Sequence, residues 1–253
     1  MLRKTVIILF TATLFIMGCA PPEPIEIYLI GDSITATKPT DEYPMVGWGQ
    51  ILPGYFDSSL VNIHNHAKNG RSTKSFISEG RWTTVKDSLQ PGDWVLIQFG
   101  HNDEKEYDTT RYTDPDSAFP ENLKKFVREA RDLGATPLLM TPVVRRKFDD
   151  SGEPVPTHGE YPAAVQGVAE KLDVYFIDIR NRSWKQLESL GVHGSKKLWL
   201  LLEPGESENW PDGLEDNSHL SEYGAHQVCQ MIVQGIRGND IPLTPYLAEN
   251  FPK

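Results

Sequence analysis

Residues 25–33, Ile-Glu-Ile-Tyr-Leu-Ile-Gly-Asp-Ser, decide the fold. A β-rich apolar run ends in a Gly-Asp-Ser turn, the pattern of a strand handing over to a helix at the carboxyl end of a parallel sheet. Four further runs of the same kind follow, at 61–67, 93–99, 136–141 and 174–179. Helical patterns separate them near 48–56, 81–89, 120–133 and 161–171, and continue near 181–190 and 221–236. Strands alternating with helices at this spacing predict βαβ units: an α/β protein of three layers, α/β/α, around a five-stranded parallel sheet. The runs Val95-Leu-Ile-Gln-Phe99 and Pro137-Leu-Leu-Met-Thr141 are apolar on both faces. Strands covered by helices on both sides read in this way. Two stretches fall outside the scheme: 104–118, polar with two Tyr, and 194–213, with Trp199 and Trp210 among Gly and Pro. Both are expected to be long irregular loops of functional consequence. The Pro-rich tail from Asn239 is expected to lie over the surface or fray.

The amino end reads differently. Arg3 and Lys4 precede an apolar run, Val6 to Met17, that is too short to span a bilayer comfortably. Ile16-Met17-Gly18-Cys19 then resembles the lipobox of bacterial lipoproteins, and Ala20-Pro21-Pro22-Glu23-Pro24 resembles a tether. The expected organisation is a signal peptide over 1–18, a tether over 19–24 carried by a lipidated Cys19, and a single domain over 25–253. About 230 residues suit one such domain. Cys19 and Cys229 are the chain's two cysteines. With Cys19 lipidated, Cys229 stands alone in an apolar helical pattern and reads as a buried, inert thiol. The formal net charge of −10 becomes −12 when Arg3 and Lys4 are removed. An acidic chain argues against nucleic acid as a partner, and an anionic polymer would need local basic groups to bind.

Chemistry-bearing residues sit where the strands end. Gly31-Asp32-Ser33 follows the first strand, Asn69-Gly70-Arg71-Ser72 the second, and Gly100-His101-Asn102-Asp103 the third. Asp216-Asn217-Ser218-His219 precedes the last helix, which Ser221 is placed to cap. Taken singly, each has a plain structural explanation: an N-capped loop, a turn glycine, a loop-capping amide, a surface histidine. Together they supply a nucleophile, a tight glycine, an amide and a carboxylate three residues from an imidazole, the parts that acyl transfer requires. The Asp216–His219 spacing lets the carboxylate reach the Nδ1–H of the ring, leaving Nε2 to take a proton from Ser33. No G-x-S-x-G, H-E-x-x-H, C-x-x-C or G-x-x-x-x-G-K-[ST] occurs. Lipase-type elbows, zinc hydrolysis and nucleotide chemistry therefore lack their usual parts. His64 and His66 alternate on one strand face, with no third metal ligand nearby, and read as structural. No metal and no cofactor is expected.

These four blocks, in this order, resemble those of the SGNH (GDSL-like) hydrolases, whose fold is flavodoxin-like. The resemblance extends over the whole mature chain to the rhamnogalacturonan acetylesterases of carbohydrate esterase family 12. It includes Gly47-Trp48-Gly49-Gln50, Ile97-Gln98-Phe99-Gly100-His101-Asn102-Asp103 and His158-Gly159-Glu160-Tyr161. One departure is Ile34, where those esterases often carry Thr after the serine. The resemblance implies Ser33 as nucleophile, His219 as base and Asp216 as its orienting partner. It also implies an oxyanion hole built from the Ser33 and Gly70 N–H groups and the Asn102 amide. The implied substrate is an acetylated plant cell-wall polysaccharide, foremost rhamnogalacturonan, met at the envelope of a bacterial cell. Acetylxylan, small lipidic acyl esters or thioesters, and carbohydrate binding without catalysis are the alternatives. For the substrate itself, Arg71 is a candidate for a uronate carboxylate, against a structural ion pair. Trp48, Trp199 and Trp210 are candidates for stacking on sugar rings, against core packing. His158 joins them through its place in the matching stretch His158-Gly159-Glu160-Tyr161.

Overall fold

A computed structural model describes residues 24–252, so the expected signal peptide and Cys19 lie outside the described residues. Among the described residues no helix is long and apolar enough to cross a membrane. Five parallel strands, β1 (Ile25–Gly31), β2 (Val61–Asn65), β3 (Trp94–Gln98), β4 (Thr136–Met140) and β5 (Tyr175–Ile177), form one sheet in the order β2-β1-β3-β4-β5. The helices are α1 (Trp48–Ile51), α2 (Thr73–Ser78), α3 (Arg81–Lys86), α4 (Ala118–Asp132), α5 (Tyr161–Leu172), α6 (Ile179–Gly194) and α7 (Glu222–Gly238).

Alternation along β1 splits the core in two. Ile27 and Leu29 pack on one face with Trp48, Leu52, Ile179, Val228 and Ile232, hence with α1, α6 and α7. Tyr28 and Ile30 pack on the other with Phe76, Trp82, Phe126 and Val165, hence with α2 to α5. This is the expected three-layer α/β/α arrangement. The chain leaves β1 towards β2 on one side and continues from β3 on the other. The carboxyl ends of β1 and β3 therefore flank the crevice at which the strand order reverses, the place where open α/β sheets bind ligands.

The structure departs from the sequence reading in three places. The 194–213 stretch is not a plain loop. It contains β6 (Trp199–Leu202), which pairs antiparallel with β7 (Leu214–Leu220) in a separate two-stranded sheet. β7 reads Leu-Glu-Asp-Asn-Ser-His-Leu, poor in strand-forming residues, and its pairing with β6 overrides that composition. The last sheet strand is shorter than expected, because Asp178 caps α6 by accepting from the Asn181 N–H and so ends β5 early. Helix α2 went unforeseen; a capping box, Ser72 with Ser75, starts it. Of the two expectations for the tail, the structure gives packing: Ile241 and Leu243 are buried, and Leu247 bridges to Phe56. Cys229 is the expected buried thiol, with its Sγ donating to the Trp48 carbonyl at 3.3 Å.

Asp103, after β3, ties the loops together. Its Oδ1 accepts from the Thr73 N–H at 2.9 Å, the Thr73 hydroxyl at 2.5 Å and the Thr113 hydroxyl at 2.8 Å, while its buried Oδ2 has no partner. Burial outweighs these bonds and pushes the carboxyl up to about 7. Between pH ~4, where an unfolded Asp releases its proton, and pH ~7, the folded chain holds a proton that the unfolded chain has lost. This group's contribution to stability therefore declines as pH rises through that window, by at most about 1.4 kcal/mol per pH unit. Asp103→Asn is expected to flatten this part of the profile. Urea unfolding of both proteins at pH 4.5, 5.5 and 7 checks it: the wild-type advantage shrinks towards pH 7, and parallel profiles would refute the assignment.

Candidate active site

The Ser33 turn is built on close backbone packing. A Cβ on Gly31 would lie 2.7 Å from the Gln98 carbonyl oxygen and 2.7 Å from Thr35 Oγ1, so the strand end admits only glycine. Beyond it, Asp32 Oδ1 accepts the Ile34 N–H at 2.9 Å, and the Asp32 carbonyl accepts from the Thr35 and Ala36 N–H groups. This turn holds Ser33 at the crevice between β1 and β3, where it is 9% exposed.

The β6–β7 sheet brings the other two groups. The Val46 N–H donates to the Leu220 carbonyl at 3.0 Å, fastening the end of β7 beside the chain that leaves Ser33. Arg146 fixes the same strand at Asn217: its N–H bonds the Asn217 carbonyl and its guanidinium the Asn217 Oδ1, both at 2.8 Å. Asp216 Oδ1 accepts the N–H groups of Ser218 and His219, at 2.8 and 3.0 Å, which orients the carboxylate. Its Oδ2 lies 2.6 Å from His219 Nδ1, and His219 Nε2 lies 2.9 Å from Ser33 Oγ. Burial opposes ionisation of Asp216. The His219 hydrogen bond and charge and the two backbone N–H groups outweigh it and hold the carboxyl down at about 2. The charge that orients the imidazole thus persists across the working pH range.

The loops after β2 and β3 meet beside the serine turn. The Lys68 N–H donates to the Gly31 carbonyl at 3.1 Å, setting the second loop beside the first. Gly70 adopts φ +75°, which glycine reaches without strain. Asn102 Nδ2 donates to the Arg71 carbonyl at 3.1 Å, bringing the third loop against the second. Gly70 and Asn102 therefore lie on neighbouring loops, with one N–H of the Asn102 amide left uncommitted.

Behind Ser33 lies a buried polar column. Asp32 Oδ2 and His101 Nδ1 are 3.5 Å apart without forming a hydrogen bond. Burial, reinforced by the neighbouring His158, pulls the His101 imidazole down to about 4, against the pull of Asp32. His158 packs edge-on against His101, with centroids 4.4 Å apart. Its Nδ1 contacts Glu104 at 2.9 Å and its Nε2 the Val143 carbonyl at 2.8 Å.

His158 is 3% exposed with both ring nitrogens engaged, and this corrects its assignment as a sugar contact. Trp48 is corrected likewise: it is fully buried and its indole N–H donates to Gln98 Oε1 at 2.7 Å, so no ring face remains for a sugar. Trp199 is core. Trp210 is half-buried on the loop joining β6 to β7, and that loop docks on residues 40–43 through Asn209. Arg71 takes the ion-pair role, bonding Glu79 at 3.0 Å and the Asn69 carbonyl at 2.8 Å. His64 pairs with Glu26 and stacks on Tyr28. No group of three His, Cys, Asp or Glu side chains that could hold a metal occurs among the described residues. The sequence reading missed two buried or half-buried lysines: Lys38, whose Nζ donates to Asn69 Oδ1 at 2.7 Å, and Lys105, whose Nζ donates to Asn102 Oδ1 at 2.8 Å. Each stands in a polar loop with nothing in its spacing to set it apart from a surface cation.

The GDSL-like Lipase/Acylhydrolase family matches residues 29–227. Rhamnogalacturonan acetylesterase RhgT of Bacillus subtilis (strain 168) is 42% identical over 225 residues, 89% of this chain and 95% of that protein. The probable rhamnogalacturonan acetylesterase YesY of the same organism is 33% identical over 87% of this chain and 95% of its own length. Among solved structures, Bacillus subtilis YxiM superposes with a TM-score of 0.72 at 25% identity, over 88% of this chain and 58% of that one. Axe2, an acetylxylan esterase from Geobacillus stearothermophilus, superposes with a TM-score of 0.63 at 17% identity, over 85% and 95%, a likeness of fold. With the strand order, the serine turn and the family match all falling on the same residues, the chain belongs to the GDSL-like lipase/acylhydrolase family.

Proposed function

We propose that this protein is a serine esterase that removes O-acetyl groups from rhamnogalacturonan. The observation that carries the reading is the unbroken line Ser33 Oγ–His219 Nε2, 2.9 Å, and His219 Nδ1–Asp216 Oδ2, 2.6 Å. The 42% identity to a rhamnogalacturonan acetylesterase over 89% of the chain supports the substrate.

In this reading Ser33 Oγ attacks the acetyl carbonyl carbon while His219 Nε2 takes its proton. Asp216 stabilises the imidazolium that results. The negative oxygen of the tetrahedral intermediate meets the N–H groups of Ser33 and Gly70 and the uncommitted amide N–H of Asn102. Collapse breaks the bond to the sugar oxygen, which takes the proton from His219 and leaves as the hydroxyl. Water then attacks the acetyl-enzyme by the same route, releasing acetate and restoring Ser33. We further propose that Cys19 carries the lipid that keeps the enzyme at the cell envelope, with 19–24 as its tether. The lipobox-like Ile16-Met17-Gly18-Cys19 after an apolar run supports this.

Acetate release from acetylated rhamnogalacturonan, xylan and homogalacturonan tests the substrate. Release from the first is expected to dominate and to vanish in Ser33→Ala, whereas release from xylan alone would reassign the enzyme. Asp216→Asn is expected to lower kcat by about 10⁴-fold, and Asn102→Ala by about 10²–10³-fold. Steady-state rates on a small acetate ester measure both, and near wild-type kcat in either variant refutes the role given to that residue. Cys19→Ser is expected to move activity from the membrane fraction to the soluble fraction without changing kcat; an unchanged distribution would remove the anchor.

A further inference from the structure

Asn102 is the one oxyanion donor in this reading that is a side chain, and an amide can point either way. Two contacts decide its orientation. Lys105 Nζ donates to Oδ1 at 2.8 Å, and Nδ2 donates to the Arg71 carbonyl at 3.1 Å. Turning the amide over would set its NH₂ against the ammonium and its oxygen against a carbonyl, two repulsive contacts in a site where Asn102 is 3% exposed. The reach of Lys105 is local. The Lys105 N–H closes a turn on the Asn102 carbonyl at 3.4 Å, which folds its side chain back over the amide. Among the described residues no carboxylate lies within salt-bridge distance of the Lys105 ammonium. Its charge is therefore not neutralised by a direct ion pair, and the neutral Asn102 oxygen receives it.

We propose that Lys105 is a positioning residue of this esterase: its ammonium holds the Asn102 amide in the donor orientation and draws electron density towards Oδ1, strengthening the free N–H. A hydrogen bond from a cation to an amide oxygen polarises the whole amide, so its N–H becomes a better donor to a forming oxyanion. The groups around the ammonium are Glu104 and Asp32, of opposite charge, and Arg111 and Arg145, of like charge. Burial and the two guanidinium groups lower the pKa of Lys105 from its ordinary value. The proposal rests on Asn102 serving as oxyanion donor.

A competing role is visible on the page. Lys105 also lines a cavity of about 510 Å³ with Tyr107, Arg145 and Thr157, where it would meet a substrate carboxylate instead. The two roles separate kinetically. On 4-nitrophenyl acetate, which carries no carboxylate, Lys105→Met is expected to lower kcat about 10- to 100-fold with KM little changed. Lys105→Arg is expected to restore most of the rate, and Lys105→Gln, which keeps a donor without the charge, to fall between. Combined with Asn102→Ala, Lys105→Met is expected to add nothing, because the group it acts through is gone. Thermal melts of each variant separate misfolding from loss of function, and Lys105→Gln and Lys105→Arg keep the test open if the Met variant does not fold. The proposal is overturned by wild-type kcat in folded Lys105→Met, by losses that multiply in the double variant, or by an effect confined to KM on acetylated rhamnogalacturonan. Full activity in Asn102→Ala alone would instead refute the reading of Asn102 itself, and the role of Lys105 with it.

Discussion

The contact between Ser33 Oγ and His219 Nε2 spans 186 positions of the chain and is only 2.9 Å long. Its two ends sit on different sheets. The hydroxyl is fixed by the turn after β1, an interior strand of the parallel sheet, and the imidazole by β7 of the small antiparallel pair. Neither element reaches the other unaided. The join is made by the backbone bond from Val46 to Leu220 and by Arg146 on Asn217, which clamp β7 at two positions. Proton transfer needs heavy atoms about 2.6–3.2 Å apart. The stability of this clamp is therefore a condition of the chemistry.

Electrostatics around the site divides into two kinds. Asp216 is ionised and hydrogen-bonded, which favours an imidazolium beside it. Asp103 and His101 are titratable groups kept buried and, near neutral pH, shifted towards their uncharged forms. His101 thus carries structure without a competing charge near neutral pH, and Asp103 with only a partial one. The cations are placed against amides: Lys38 on Asn69 and Lys105 on Asn102, one on each of the two loops that meet beside the serine. Burial lowers Lys38 to about 8, against the pull of Glu42, Asp32 and Asp216. In a chain of net charge −10, two ammonium groups thus stand against the amides of the loops beside the serine.

Much of this was legible in the residues. The five parallel strands announce themselves as apolar runs, and three of the four chemical blocks follow directly after strands, so topology alone gathers them on one sheet edge. The fourth block was legible as a motif and not as a structure. The sequence Leu-Glu-Asp-Asn-Ser-His-Leu has no strand signature, and only its long-range pairing with Trp199–Leu202 makes it one. Side-chain environment was the least legible. Trp48 was attractive as an aromatic ring that could stack on a sugar, and His158 for its place in a matching stretch. Their burial depends on packing from distant segments that no local pattern encodes. Lys38 and Lys105 were invisible for the converse reason, since a lysine in a polar loop reads as solvated until the fold shows what its ammonium touches.

Covalent capture of the nucleophile tests the central claim most directly. The mature protein treated with a fluorophosphonate probe, digested and mapped by mass spectrometry, is predicted to carry one adduct on Ser33. That adduct is predicted to disappear in His219→Ala, because without the base the hydroxyl is no longer activated. Labelling at another serine, or equal labelling of Ser33 with His219 removed, would contradict the account.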